Sequence, residues 1–348
     1  MTTDDTTAHT ETHTAARTGA STAAMRTALA AAASVRTTTS PNPWVGAVVI
    51  SADGEVVGIG ATEPPGGRHA ERVALAAAGP RAAGGTLVCT LEPCSHHGRT
   101  PPCTDAIIAA GIGRVEVAIV DPDPLVAGSG LDALRRAGLD VGVGLLASDA
   151  EAQLAPYLHH RRTGRPYVVC KLAMSADGGI AAADGTSQWI TGDAARRDAH
   201  RLRAQSDAIL VGAGTVRADD PALTVRHVDG TDPLRVVLGT APPDARVHPC
   251  LEWTDGLDEL LDELGGRGVV QLMVEGGARV VGSFHSAGLV DRYVLYLAPA
   301  LFGGAGATTA IHAATAPTIG DLWRGRFDRI ERVGADVRLE LIPLQEGT

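Results

Sequence analysis

His69-Ala70-Glu71, Pro93-Cys94 and Cys103 are the residues whose types and spacing most directly imply chemistry in this 348-residue chain. One imidazole and two thiolates form the mixed nitrogen–sulfur donor set that zinc prefers. Three protein donors leave the fourth tetrahedral position to water, which separates a catalytic zinc from a structural one. Such a metal brings the pKa of its water down to about 7. Glu71 stands two residues after His69, at the expected start of a helix. From there its carboxylate can take a proton from that water and deliver it to a leaving amine. Two blander readings stay open beside this one. The cysteines are inert buried thiols, the expected fate of Cys89 in mid-strand, or the zinc is structural and closed by His96 or His97.

A second set of residues suits a dinucleotide. A strand expected to end at Val274 runs through Glu275-Gly276-Gly277 into a helix. Glycines let backbone approach a phosphate, and a helix N-terminus offers free N–H groups. A Gly-Gly turn before a helix is a weak signal by itself, and it is not the G-x-G-x-x-G of a Rossmann unit. Arg196 and Arg203 are seven residues apart on one expected helix and share a face. Lys171, Asp177 and Glu275 are polar groups at strand ends, where small-molecule sites lie.

The elements that must position these groups alternate. Helices are expected at 23–35, 69–78, 102–111, 131–137 and 148–160, with strands at 45–50, 56–59, 86–91, 115–120 and 141–144. Asp53-Gly54 between the first two strands is a hairpin signal. The charged, Gly/Pro-containing stretch 161–166 marks a domain boundary. Beyond it, strands are expected at 167–173, 208–211, 234–238, 269–274 and 293–297. Helices are expected at 193–205, 257–265 and 277–287, and a terminal hairpin at 329–334 and 336–342. The pattern predicts mixed α/β sheets with helices on both faces. The polar, Thr-rich residues 1–20 are read as a disordered tail, 21–163 as one domain and 164–348 as another.

Composition narrows the function classes. The formal net charge of −10 argues against nucleic-acid binding, which needs a basic footprint. Five cysteines and a polar N-terminus without an apolar core do not suggest a secreted disulfide framework. No apolar run reaches the ~18 residues of a membrane span. The expectation is a cytoplasmic protein without nucleic-acid or membrane partners.

His-x-Glu followed by Pro-Cys and a further Cys is the pattern of zinc nucleobase deaminases, although their usual second half is P-C-x-x-C. Here eight residues separate the cysteines. The run from Leu91-Glu92-Pro93-Cys94 to Pro101-Pro102-Cys103 resembles the deaminase–reductase family of riboflavin biosynthesis, in which the longer spacing is the rule. Pro41-Asn42-Pro43, Asp121-Pro122-Asp123-Pro124, Lys171–Gly178, Ser187-Gln188-Trp189, Val211–Val216, Asp219–Arg226 and Val274–Gly277 extend the resemblance over nearly everything beyond the tail.

The resemblance implies a cytidine-deaminase-like three-layer α/β/α domain followed by a dihydrofolate-reductase-like α/β domain, one zinc ion per chain, and NADPH. It implies a phosphoribosyl-pyrimidine substrate that is first deaminated and then reduced from ribosyl to ribityl. It assigns His69, Cys94 and Cys103 to the metal and Glu71 to proton transfer. Asn42, His96, Arg99, Ser187, Arg203, Leu223, Arg226 and Glu275 go to substrate. Ala173, Trp189, Thr215, Asp219, Gly276 and Gly277 go to cofactor. It also implies a homo-oligomer and a shortened region at 239–268. A deaminase acting on a base in RNA, and a non-catalytic zinc-stabilised binding protein, are the alternatives.

Overall fold

The computed structural model describes residues 5–96, 101–304, 306–313 and 316–344, with residues 5–18 through their backbone alone. The chain divides into two compact units, Met1–Thr163 and Gly164–Thr348.

The first unit contains α1 (Asp5–Ser34), β1 (Gly46–Ile50), β2 (Val56–Ala61), α2 (Ala70–Ala78), β3 (Thr86–Cys89), α3 (Cys103–Ala109), β4 (Arg114–Val117), α4 (Ser129–Arg136), β5 (Asp140–Val143) and α5 (Ala147–Thr163). Its sheet has the order β2-β1-β3-β4-β5. β1 pairs antiparallel with β2 and β3, and β3, β4 and β5 run parallel. The hairpin turns at Gly54, whose φ of 92° needs a glycine. Helices cover both faces. Gly46 of β1 lies against Ala28 of α1, while Gly60 of β2, paired with Ala47, lies against Ala70 of α2.

Over the stretch expected to be a tail, the helix α1 runs from Asp5. Ser21, Ala24, Met25, Ala28 and Ala32 are buried at helical spacing and anchor the helix. No proline interrupts the residues before them. Each added helical residue brings its own backbone hydrogen bond, so the helix propagates back along an Ala- and Thr-rich stretch.

The second unit contains β6 (Tyr167–Ser175), β7 (Gly179–Ala181), α6 (Asp193–Ala204), β8 (Ala208–Gly212), α7 (Ala213–Asp219), β9 (Leu234–Leu238), β10 (Leu251–Trp253), α8 (Leu257–Gly266), β11 (Gln271–Val274), α9 (Ala278–Ser286), β12 (Arg292–Ala298), β13 (Thr308–Thr309), β14 (Gly325–Val333) and β15 (Asp336–Pro343). The main sheet has the order β10-β9-β8-β11-β6-β12-β15-β14. It is parallel from β10 to β12, then antiparallel through the terminal hairpin β14–β15. Val168, Leu172, Leu210, Val236, Leu264, Leu272 and Phe284 belong to its core. Aliphatic strands buried on both faces are what a parallel sheet requires. Within 239–268, expected to be shortened, the sheet retains a three-residue strand, β10, and α8 follows it.

Candidate active sites

Two helix starts and one loop assemble the first site. His69 is the residue before α2, and Glu71 lies in that helix's first turn. Cys103 is the first residue of α3. Cys94 follows β3, and the Thr104 N–H donates to its carbonyl at 3.2 Å. His69 Nδ1 lies 3.5 Å from both Cys94 Sγ and Cys103 Sγ. Tetrahedral zinc with Zn–N near 2.1 Å and Zn–S near 2.3 Å has an N···S edge of about 3.6 Å. The donor set and its spacing therefore fit zinc. The group holds three donors among the described residues, and His96 is not one of them.

Electrostatics mark the same cluster. Cys94 is drawn down to about 4, first by its hydrogen bond with Cys103 and, against burial, by His69. Cys103, beside Cys94 and buried, is pushed up. Burial, then the neighbouring Cys94 charge, raises the Glu71 carboxyl. Glu71 is 3% exposed, yet it lines a cavity of about 320 Å³ together with Asn42, His69, Cys94 and His96. Arg99 and His97 lie outside the described residues.

Asp121, Asp123, Tyr157 and Arg161 line the far side of this cavity. Burial pushes Asp121 up to about 6, against the hydrogen bonds it receives from the Asp123 N–H and the Tyr157 hydroxyl. Arg161 pairs with Asp123 at 3.2 Å and lies over the Tyr157 ring. Tyr157 and Arg161 were not legible in sequence, because α5 carries no motif and reaches the site only through the tertiary fold.

The loop bearing Cys94 is pinned from below. Glu92 is 4% exposed, and its carboxylate accepts the N–H groups of Asp121, Gly128, Gly130 and Leu131 at 2.9–3.2 Å. Gly130 is required here, because a Cβ would sit 2.0 Å from the Pro93 carbonyl oxygen.

The second unit holds a cavity of about 560 Å³. Lys171, Trp189, Arg203, Thr215, Asp219, Leu223, Arg226 and Glu275, all singled out from sequence, line it. Glu275 is clamped at its base, 3.0 Å from Lys171 Nζ and 2.7 Å from Arg203. Burial would raise this carboxyl, but the Lys171 and Arg203 charges outweigh burial and hold it at about 2. Trp189 is 69% exposed with the Arg196 guanidinium over its ring at 4.6 Å, an open stacking platform and not a core residue.

The remaining expected residues fall around the cavity. Ser187 lines a smaller neighbouring hollow with Gln188 and Trp189. Ala173 lies within β6 beside Tyr296. Gly276 and Gly277 form the turn between β11 and α9. A Cβ on Gly276 would collide with Val280 at 2.6 Å, and one on Gly277 would lie 3.8 Å from Thr215 Oγ1. α9 has no side-chain N-cap. A bare helix start beside Thr215 fits a dinucleotide phosphate. Asp177 is placed elsewhere: its carboxylate accepts the N–H groups of Phe302 and Gly303 and braces that loop.

Comparison with known proteins gives the same division. Residues 166–339 match the RibD C-terminal domain, and residues 19–119 match the cytidine and deoxycytidylate deaminase zinc-binding region. The riboflavin biosynthesis protein RibD of Mycobacterium tuberculosis H37Rv is 47% identical over 320 residues, covering 88% of this chain and 93% of that protein. The chain belongs to the RibD family.

Within that family, RibD of Escherichia coli K12 is 41% identical over 88% of this chain and 95% of its own length. The solved RibD of Acinetobacter baumannii superposes with a TM-score of 0.88 at 35% identity, over 94% of this chain and 100% of that one. A Thermotoga maritima deaminase/reductase superposes with a TM-score of 0.85 at 31% identity, again over 94% and 100%. This RibD-family chain is therefore a bifunctional deaminase and reductase of riboflavin biosynthesis, with a zinc-binding deaminase domain and an NADPH-dependent reductase domain. Its substrate is a small molecule. No described helix is long and apolar enough to cross a membrane.

His200 and Arg246 line the RibD-family reductase cavity without having been singled out from sequence. Burial, then the Arg203 and Arg226 charges, lowers His200 to about 4, and its Nδ1 accepts the Arg226 N–H at 3.1 Å.

Proposed function

We propose that the first unit, 21–163, hydrolyses the exocyclic amine of 2,5-diamino-6-(5-phosphoribosylamino)pyrimidin-4-one, and that 164–348 reduces the ribosyl group of the product to ribityl. The observation that carries the reading is the convergence of His69, Cys94 and Cys103 beside buried Glu71 at a cavity wall. The Thermotoga maritima relative is described as a diaminohydroxyphosphoribosylaminopyrimidine deaminase and 5-amino-6-(5-phosphoribosylamino)uracil reductase, which supports this substrate.

His69, Cys94 and Cys103 hold the zinc, which when bound supplies Lewis acidity and an acidified water. Glu71, with its raised pKa, is placed to take up a proton and deliver it to the departing amine. Asn42 and His96 line the same cavity and orient the pyrimidine. Arg99 is assigned to the phosphate by resemblance, as a guanidinium suited to bidentate pairing. In the second unit, bound NADPH would supply the hydride for the ribosyl group. Trp189, Thr215, Asp219, Ala173 and the Gly276-Gly277 turn hold the cofactor. Arg203, Arg226, Ser187, Leu223 and Glu275 hold the substrate. Lys171 and Arg203 hold the Glu275 carboxyl well below the usual range, and Glu275 in turn fixes both side chains. The family resemblance also supports a cytoplasmic homo-oligomer.

The test gives zinc-loaded protein the diaminopyrimidine with and without NADPH. Ammonia should appear in both, with NADPH consumed in the first. Absence of ammonia sinks the deaminase half. Ammonia without NADPH consumption sinks the reductase half alone.

A further inference from the structure

Outside both cavities, β9 is followed by a loop that returns to the sheet at β10, and three donor side chains alternate along that return. His248 and Cys250 lie in the loop that leads into β10, and Glu252 lies in that strand. Their donor atoms all lie within 4.8 Å of one another. His248 Nδ1 is 3.5 Å from Cys250 Sγ, the same separation that His69 keeps from Cys94 and Cys103. It again matches the ~3.6 Å N···S edge of a zinc tetrahedron.

The histidine is set for this role by its other nitrogen. His248 Nε2 lies 2.9 Å from the Pro242 carbonyl oxygen. A carbonyl only accepts, so Nε2 carries the proton and the Nδ1 lone pair faces Cys250. Metal-bound histidines are held in this way by an outer carbonyl or carboxylate. Glu252 is held similarly, one oxygen accepting the Ala241 N–H at 2.9 Å. A thiol-to-imidazole hydrogen bond would account for His248 and Cys250. Glu252 brings a carboxylate oxygen to the same place as a third donor.

We propose that His248, Cys250 and Glu252 form a second zinc site, with nitrogen, sulfur and oxygen donors and one position left to water. It clips the two ends of the 239–250 loop together, since the outer contacts of His248 and Glu252 are Pro242 and Ala241. The same loop carries Arg246, which lines the reductase cavity and whose N–H donates to Asp220 at 2.8 Å. The clip therefore orders a wall of that cavity without joining its chemistry.

The experiment loads the full chain with zinc, removes loosely held metal by gel filtration, and counts zinc per chain by elemental analysis. A parallel titration uses Co²⁺, whose thiolate charge-transfer absorption reports a sulfur ligand. Two metals per chain are expected, falling to one in Cys250→Ser and in His248→Ala. Ammonia release by Cys250→Ser should stay at the wild-type rate, because the deaminase metal and fold are untouched. A Cys94→Ser, Cys103→Ser chain should keep one metal and the Co²⁺–thiolate band, and lose both when Cys250→Ser is added. A wild-type chain that binds a single metal, or a second metal that survives both Cys250→Ser and His248→Ala, overturns the proposal.

Discussion

Glu71 illustrates how much one side chain's surroundings decide. It is 3% exposed, and burial lifts its carboxyl above the ordinary range, which brings proton affinity closer to neutrality. A Glu71→Gln variant should keep its zinc and lose deamination by about 10²-fold or more. Elemental analysis and ammonia release check it together, and full activity in the zinc-loaded variant removes Glu71 from the proton path. His200 makes the opposite argument in the other unit. Burial, then Arg203 and Arg226, hold its imidazole at about 4, against ~6.5 in an unfolded chain. Between those values the unfolded chain binds the extra proton, so folding stability rises with pH across that window and is lost as pH falls toward 4. Thermal unfolding at pH 7.5 and pH 5 should therefore show a smaller drop in His200→Gln than in the wild type. Identical drops would mean that His200 does not carry the dependence.

At the scale of elements, the first site is a loop held against a helix start. Glu92 accepts three backbone N–H groups at the start of α4 and that of Asp121 after β4, and thereby fixes the strand exit that carries Cys94. Replacing it with alanine leaves those donors buried without an acceptor. The cost is about 3 kcal/mol or more, by the usual penalty for orphaned groups. Urea unfolding of Glu92→Ala should begin earlier, and ammonia release should fall while NADPH consumption with supplied deaminated intermediate does not. Equal loss of both activities would contradict a local role. The sequence shows the zinc cluster plainly because its residues fall in contiguous motifs at helix starts. Tyr157 and Arg161 have no such mark, since only the packing of α5 brings them to the cavity. The long aliphatic strands were legible from composition. β10, three residues long, was too short to show a period. α7 begins with Ala213-Gly214 and is seven residues long, too short to show a helical period. The polar start of α1 has no apolar period to show, and alanine with a packed continuation allows a helix there.

For the whole molecule, the two chemistries are partitioned by chain segment. Among the described residues, the donors and wall of the deaminase cavity lie between Pro41 and Arg161, and the wall of the reductase cavity lies between Lys171 and Tyr296. Each unit has its own sheet and its own buried core. A hydrophobic core of that kind supports folding without help from outside the unit. Emptying the first metal site should thus be felt on one side of the boundary at Thr163 and not on the other. A Cys94→Ser, Cys103→Ser chain leaves His69 as the sole remaining donor of its set, which cannot hold zinc against solvent. It should release no ammonia from the diaminopyrimidine at any zinc concentration. Supplied with the deaminated pyrimidine, it should oxidise NADPH with wild-type kcat and KM, because Lys171, Arg203 and Glu275 stay clamped as before. If NADPH oxidation fell in proportion to ammonia release, the two activities would share a structural element, and the partition by segment would have to be abandoned.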